Sequence, residues 1–446
     1  MDKLEKKIIN TVANYIVPLI LFVLVANQLM IIVYKGFHNI TISDFSTKLV
    51  LCSIYATIVS LVIKNVLQWL KPKNKKWSLL YLLSLLLATG MYYAVFKELD
   101  SFATMLAYFS ICGGTTLTFF VIPFINKVYD SAQYTYRVLV ALLITALSGF
   151  VLGGGINLIL LSIHLLFEIN IAAYIYLEIT IFIGGFILPT VFLAQLPNFE
   201  PRKEDYPNFL RKLFLYVIYP ILSIYTVILY AYFIRILVTF SWPANILGNL
   251  IIYYTLIATG VLYFTYKLQD QNSWAKLFNK YFPYLLIIPA LMMGVSFMIR
   301  INEYGLTEAR YYAILIMKFT LISIFILKKV KSVKYLPLVL AGLLITTALG
   351  PLSATNMAFK SQEKRFTELL TQNKVLVNNK LVINKTLKPT VKKRIYNNLF
   401  YLSNFHELNE INYLPRDFKV CDIEHYIGPD EVAGYCEVPN VMIEKY

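Results

Sequence analysis

Eleven apolar stretches, each long enough to cross a membrane, dominate this chain. They run at about 15–34, 48–70, 77–96, 102–124, 138–167, 171–194, 213–240, 246–266, 282–299, 311–328 and 335–353, against the roughly 20 helical residues that span the hydrocarbon layer. Lipid offers no partner to a free backbone N–H or C=O, so a spanning segment is a helix or part of a closed barrel. Continuous apolar runs lack the alternation of barrel strands, and the expected class is therefore an all-α polytopic membrane protein. The composition agrees: 58% of the 446 residues are hydrophobic and 15% charged, where soluble domains carry about a quarter charged. A soluble multidomain enzyme, a disordered chain, a collagen and a disulfide-rich scaffold are all excluded.

Orientation follows from the loops, because Lys and Arg are retained on the cytoplasmic side. Alternate loops divide the positive charge 20 to 5. The rich set runs from Lys3, Lys6 and Lys7 to Lys328, Lys329, Lys331 and Lys334; the poor set is Lys35, Lys48, Lys97, Arg300 and Arg310. The N-terminus is thus expected inside, and an odd number of spans sends everything after about residue 354 outside. The net charge of +16 sits in small groups on the cytoplasmic loops, so topology accounts for it without nucleic acid. The first span follows a short basic start, but it is long and no A-x-A-like site follows it, which reads as an uncleaved helix.

Beyond Gly350 and Pro351 the composition changes. Residues 354–446 hold 13 Lys/Arg and 11 Asp/Glu, which marks a water-exposed domain distinct from the helical domain 1–353. A helix is expected from Ser361 to Thr371 with Phe366, Leu369 and Leu370 on one face, and another from about 391 to 405 carrying Ile395, Leu399 and Leu402. Between them, two short apolar runs around Asn378-Asn379 read as a hairpin, giving a small α+β unit. Cys421 and Cys436 lie fifteen positions apart and can bridge in an oxidising exterior or stay as thiols; Cys52 and Cys112 lie in apolar spans. No C-x-x-C or other metal-ligand spacing is present, and His406, His425 and their acidic neighbours read as solvated surface, so no metal or cofactor is expected.

Ionisable residues inside spans are costly and call for a cavity or a partner. Lys64 is near enough to a span end to snorkel. His164, Glu178, Arg235 and Lys318 all fall in the outer half of their spans. They either neutralise one another as buried pairs or line an outward-facing cavity for an anionic or zwitterionic solute, with Arg235 and Lys318 as electropositive contacts and Glu178 as coupler. The run Gly153-Gly154-Gly155 reads as a place of close helix packing.

The densest polar motif is the outer turn from Arg300 to Tyr311. Gly305 can end one helix with a positive φ, Thr307 can cap the next, and Glu308 can oppose the positive end of its dipole. Arg300, Glu303 and Arg310 are left over, and they suit an ion-pair cluster that grips the tail or a headgroup phosphate. Walker A, H-E-x-x-H and G-x-S-x-G signatures are missing, so enzyme activity has no signature to rest on.

The stretch R-I-N-E-Y-G-L-T-E-A-R-Y at 300–311, with G-P-L-S-A at 350–354 and S-Q-E-K-R-F-T-E-L-L at 361–370, resembles a family of bacterial polytopic membrane proteins catalogued as a domain of unknown function. Its signature is of the type R-x-x-x-Y-G-x-T-E-x-R-Y, and the resemblance is specific over about 200–375. It carries over Arg300, Tyr304, Gly305, Thr307, Glu308, Arg310, Tyr311, Gly350, Pro351, Gln362 and Arg365; Phe366 stands where an aliphatic residue is expected. The resemblance implies an integral protein of a bacterial inner or plasma membrane with an extracytoplasmic C-terminal segment, and it supplies no substrate, cofactor or catalytic residue. The function expected is transport of a small anionic or zwitterionic solute or a lipid precursor. The alternative is a non-transporting envelope or signalling protein whose tail binds an envelope partner; a membrane-embedded transferase comes third.

Overall fold

The computed structural model describes residues 2–70, 75–96, 102–125, 131–167, 169–197, 208–239, 246–330 and 332–428. Helices follow one another almost without interruption: α1 Asp2–Asn14, α2 Ile16–Phe37, α3 Asp44–Leu70, α4 Leu82–Ala94, α5 Phe102–Ile125, α6 Ser131–Phe167, α7 Ala173–Phe182 and α8 Leu188–Gln195. Then come α9 Asn208–Leu213, α10 Tyr219–Thr239, α11 Ile246–Thr265, α12 Ser273–Leu285, α13 Ile287–Tyr304, α14 Glu308–Phe325 and α15 Tyr335–Ala348. Among the described residues, nine helical stretches are long and apolar enough to cross a membrane. Eleven crossings require two more: α15, an apolar helix of only 14 residues, and α14, whose 18 residues include Glu308, Arg310 and Lys318.

The protein is multi-pass, and its surface has the character lipid demands. Large apolar side chains such as Phe150, Val238 and Leu143 point outward with more than two thirds of their area exposed, which suits hydrocarbon and not water. Where helices touch, small residues let them approach. A Cβ on Gly114 of α5 would stand 2.5 Å from Ile345 of α15, and one on Gly185 would stand 2.1 Å from Ala26 of α2. Gly185 lies in a widened π-turn, Ile183–Ile187, that joins α7 to α8. The run at 153–155 behaves otherwise. Its Gly153 is buried and faces Ile183, to which a Cβ would stand 3.8 Å, while Gly154 and Gly155 meet nothing within 4 Å, so the tightest approaches are made at other glycines.

The C-terminal segment has a core of its own. Helix α16 (Ala354–Gln372) and helix α17 (Pro389–Phe405) pack around Phe366, Leu370, Ile395, Leu399 and Leu402, closed by Ile411, Phe418 and α18 (Ile423–Ile427). The hairpin expected between them is present as β1 (Leu376–Val377) and β2 (Lys380–Leu381), with Leu376 opposite Leu381. Its two turn residues, Asn378 and Asn379, both have positive φ, 50° and 58°. Asparagine tolerates that region best after glycine, and two such residues in succession suit the tight turn of a hairpin.

Helix α16 begins earlier than its amphipathic pattern suggests. Ser353 caps it, its Oγ accepting from Asn356 N at 3.3 Å, and Ser361 lies inside the helix. Leu399 is fully buried in this core. Its replacement by alanine is expected to cost about 2–5 kcal/mol, read as faster hydrogen exchange across 354–428 while α2–α5 keep their protection.

Candidate functional site

The loop between α13 and α14 is held by the C-terminal segment through a set of polar contacts that use nearly every motif position. Gly305 closes α13: its φ is +77° and its N–H donates to Ile301 O at 2.8 Å. That turn exposes the carbonyls of Tyr304, Gly305 and Leu306 at the end of a membrane helix, where each needs a donor. Gln362 of α16 supplies two of the donations, its Nε2 lying 3.0 Å from both Tyr304 O and Leu306 O. Arg310 supplies the third, Nη1 to Gly305 O at 2.6 Å. The amide of Leu306 donates to Ser361 Oγ at 2.9 Å, and Asn398 of α17 donates to Gln362 Oε1 at 2.7 Å. The turn after α13, α16 and α17 thus meet at one carboxamide.

Beside this knot lies a buried acid. Glu308, 4% exposed, opens α14. Its Oε2 accepts from the Tyr401 hydroxyl, and its Oε1 stands 3.2 Å from His406 Nε2, with only 6% of either the Glu308 or the His406 side chain exposed. The Glu308–His406 approach is close but off the line of a hydrogen bond, and packing of the surrounding rings holds the imidazole against the carboxyl group. Burial and the neighbouring carboxylate of Glu308 push the Tyr401 hydroxyl well above the usual tyrosine range, so it stays a donor. Phe359 and Tyr401 rings flank the imidazole. His406, expected as solvated surface, is buried here.

Other motif residues tie the same joint. Tyr311 donates to Leu352 O at 2.7 Å, and Gly350, with φ +83°, turns the chain between α15 and α16. The Gly350 carbonyl accepts from Asn356 Nδ2 at 2.8 Å, and Pro351 follows it in the turn. Thr307 occupies the cap position of α14, but it is its backbone carbonyl, not its side chain, that accepts, from Tyr311 N at 2.9 Å. Phe102 at the start of α5 meets Phe405 edge-on at 5.0 Å.

The four groups expected to line a cavity are placed differently. His164 Nδ1 lies 2.7 Å from Ile169 O and 3.3 Å from Ile171 N, so it serves its own loop. Glu178 is half-buried on α7, while Arg235 on α10 and Lys318 on α14 are exposed. Among the described residues no ion pair joins any of them. Near Glu178, Asn157 reaches across from α6 to donate to Thr180 at 3.1 Å. Lys64 stands 5.0 Å over the Tyr15 ring. Cys421 is disulfide-bonded, Cys52 and Cys112 are free, and Cys436 lies outside the described residues. Among the described residues no group of three or more potential metal ligands gathers.

Sequence reasoning missed Tyr401, His406, Asn398 and Ser361. A signal was present for Asn398, a polar residue between the core positions Ile395 and Leu399. None was present for His406, which reaches Glu308 across almost a hundred residues of chain.

Fold and site together define a multi-pass helical membrane protein whose last membrane helices are buckled to a folded C-terminal segment. The model of the family described as Domain of unknown function (DUF4153) matches residues 16–374, and the chain belongs to that family. The match takes in the membrane helices from α2 onward, well before the stretch that the motifs alone identify. An uncharacterized protein of Pasteurella multocida (strain Pm70), PM1469, is 32% identical over 233 residues, covering 49% of this chain and 38% of that protein. No solved structure matches.

Proposed function

We propose that this is a bacterial envelope protein whose membrane helices, eleven with α14 and α15 counted, hold and orient an extracytoplasmic C-terminal unit, residues 354–446, that binds a partner in the envelope. The observation that carries this reading is the use of the motif: Glu308 and Gln362 bond across the joint between membrane helices and C-terminal segment, and Arg310 and Tyr311 brace the turns on the membrane side of it. A sequence signature spent on attachment suits a protein whose attached part does the work. The charge asymmetry of the loops supports an outside position for that part.

Transport of a small anionic or zwitterionic solute or a lipid precursor is the second reading, supported by Glu178, Arg235 and Lys318 within apolar helices. The exposed faces of Arg235 and Lys318 count against a shared cavity within one chain. One set of strains separates the two. In a null strain complemented with variants, loss of residues 361–446 is expected to abolish the phenotype, with the truncated protein still inserted in the membrane, whereas Glu178→Gln and Arg235→Ala are expected to leave it intact. The opposite pattern returns the protein to transport. Lys393→Cys, on the exposed side of α17, is expected to react with a membrane-impermeant maleimide in whole cells; labelling only after lysis would put the tail inside.

A further inference from the structure

Arginine is concentrated at the joint beyond what its carboxylates can use. Arg300 lies one turn before Tyr304 on α13, and Arg310 lies in the first turn of α14 with its guanidinium 5.6 Å from the Tyr304 ring centre. Arg365 stands on α16 three residues after Gln362, and Arg394 stands on α17 four residues before Asn398. At helical spacing both therefore share the face that the Gln362–Asn398 bond turns toward the joint. The four charges act on one another: Arg300 and Arg365 on Arg310, and Arg394 on Arg365.

The acidic groups on the surrounding elements are Glu303, Glu308, Glu363 and Glu368, of which Glu363 lies toward Glu410. Glu308 is engaged by Tyr401 and His406. Glu368 pairs with Lys364 at 3.9 Å, and Glu303 is exposed beside the Tyr304 hydroxyl. Among the described residues none of the four arginines has a carboxylate oxygen within 4 Å. Arg300 Nη2 is moreover sealed from solvent and has no acceptor. A buried guanidinium N–H without a partner costs free energy, and although Glu303 and Glu368 attract Arg365, Arg394 repels it, as Arg300 and Arg365 repel Arg310. Both costs disappear if an anion with several acceptor oxygens sits among them, and phosphate is the anion that forked guanidinium groups match best. The site lies where α13 ends and α14 begins, at the end of apolar helices, where lipid headgroups are the neighbouring anions.

We propose that Arg300, Arg310, Arg365 and Arg394 form a phosphate-binding cleft at the joint of α13, α14, α16 and α17. It takes a phosphate ester or free phosphate, and at this depth the phosphate of an anionic lipid headgroup is its ordinary occupant. The cleft rests on the attached C-terminal unit of the reading above but not on which side of the membrane that unit faces.

The test uses the full chain purified in detergent. Retention of phosphatidylglycerol is compared by native mass spectrometry with that of a chain-matched diacylglycerol, which lacks the phosphate, and inorganic phosphate is titrated by calorimetry. Preferential retention of phosphatidylglycerol, weakened about tenfold or more in Arg365→Gln/Arg394→Gln, is the expected result and assigns the cleft to lipid. Binding of inorganic phosphate alone, lost in the same variant, also supports the cleft and assigns it to a soluble phosphate. Equal retention of both lipids with no phosphate heat, or binding that the double variant leaves unchanged, overturns it. Neither arginine contacts the Gln362 knot directly, so limited proteolysis of the variant reports whether the C-terminal unit is still attached. An attached unit with no binding defeats this proposal and leaves the attachment reading standing; a detached unit is remedied by reading the milder Arg394→Gln alone, judged by the same criteria.

Discussion

Replacing Gly305 by alanine detaches the C-terminal unit from the membrane helices. With φ +77° and ψ 170° the residue occupies a region that side chains avoid, at a cost of about 1–3 kcal/mol. The larger consequence is steric. A Cβ there would stand 2.7 Å from Gln362 Nε2 and 3.0 Å from its Cδ, so the carboxamide must move and release the carbonyls of Tyr304 and Leu306. Each carbonyl left buried without a donor adds about 1–3 kcal/mol. The measurement is limited proteolysis with hydrogen exchange on the purified full chain: α16 and α17 are expected to lose protection against the membrane helices while their own core persists. Wild-type protection of residues 301–306 in the variant would refute the account. Gln362→Ala, which removes the same bonds without the strain, is expected to show the smaller part of the effect.

Removal of the buried acid is the second large effect. Glu308→Ala leaves the Tyr401 hydroxyl without its acceptor and His406 facing a hole, in a site where only 6% of the Glu308 and His406 side chains is exposed. Each buried polar group left without its partner costs about 1–3 kcal/mol, and here there are two. Tyr401→Phe removes one hydrogen bond and is expected to cost about 1–3 kcal/mol. Glu308→Gln separates the causes: it keeps an acceptor for Tyr401 but no charge. If the thermal midpoint of Glu308→Gln equals that of wild type, hydrogen bonding and not charge holds the pair; a midpoint as low as that of Glu308→Ala assigns the stability to charge. No change in any of the three variants would mean that the pair contributes nothing to the joint.

The elements legible in the sequence are those fixed by local chemistry or by lipid. Apolar runs announced the helices because hydrocarbon leaves the backbone no other solution, and Asn378-Asn379 announced the hairpin because few residues accept two positive φ values in succession. The start of α16 was misplaced because Ser361 resembles a cap; the cap is Ser353, chosen by the turn at Gly350 and Pro351. Within the site, Gly305 was legible for its φ, while the reason for Gln362 was not, since its partners lie nearly sixty residues away. Glu308 read as a dipole partner at a helix end. That role is compatible with its position, but nothing local marks it as buried, since Tyr401 and His406 come to it only through the folding of the tail. Arg235 and Lys318 looked like cavity residues because depth in a helix can be counted from sequence, whereas the direction a helix face takes in the bundle cannot.

The carboxamide of Gln362 spends both of its N–H groups on the turn after α13, at Tyr304 and Leu306, while its oxygen accepts from Asn398 of α17. A planar group so held permits almost no swivel of one part against another. Rotation or sliding of α13 in the bilayer is therefore carried straight into α17, in the way a rigid coupling passes torque between two shafts.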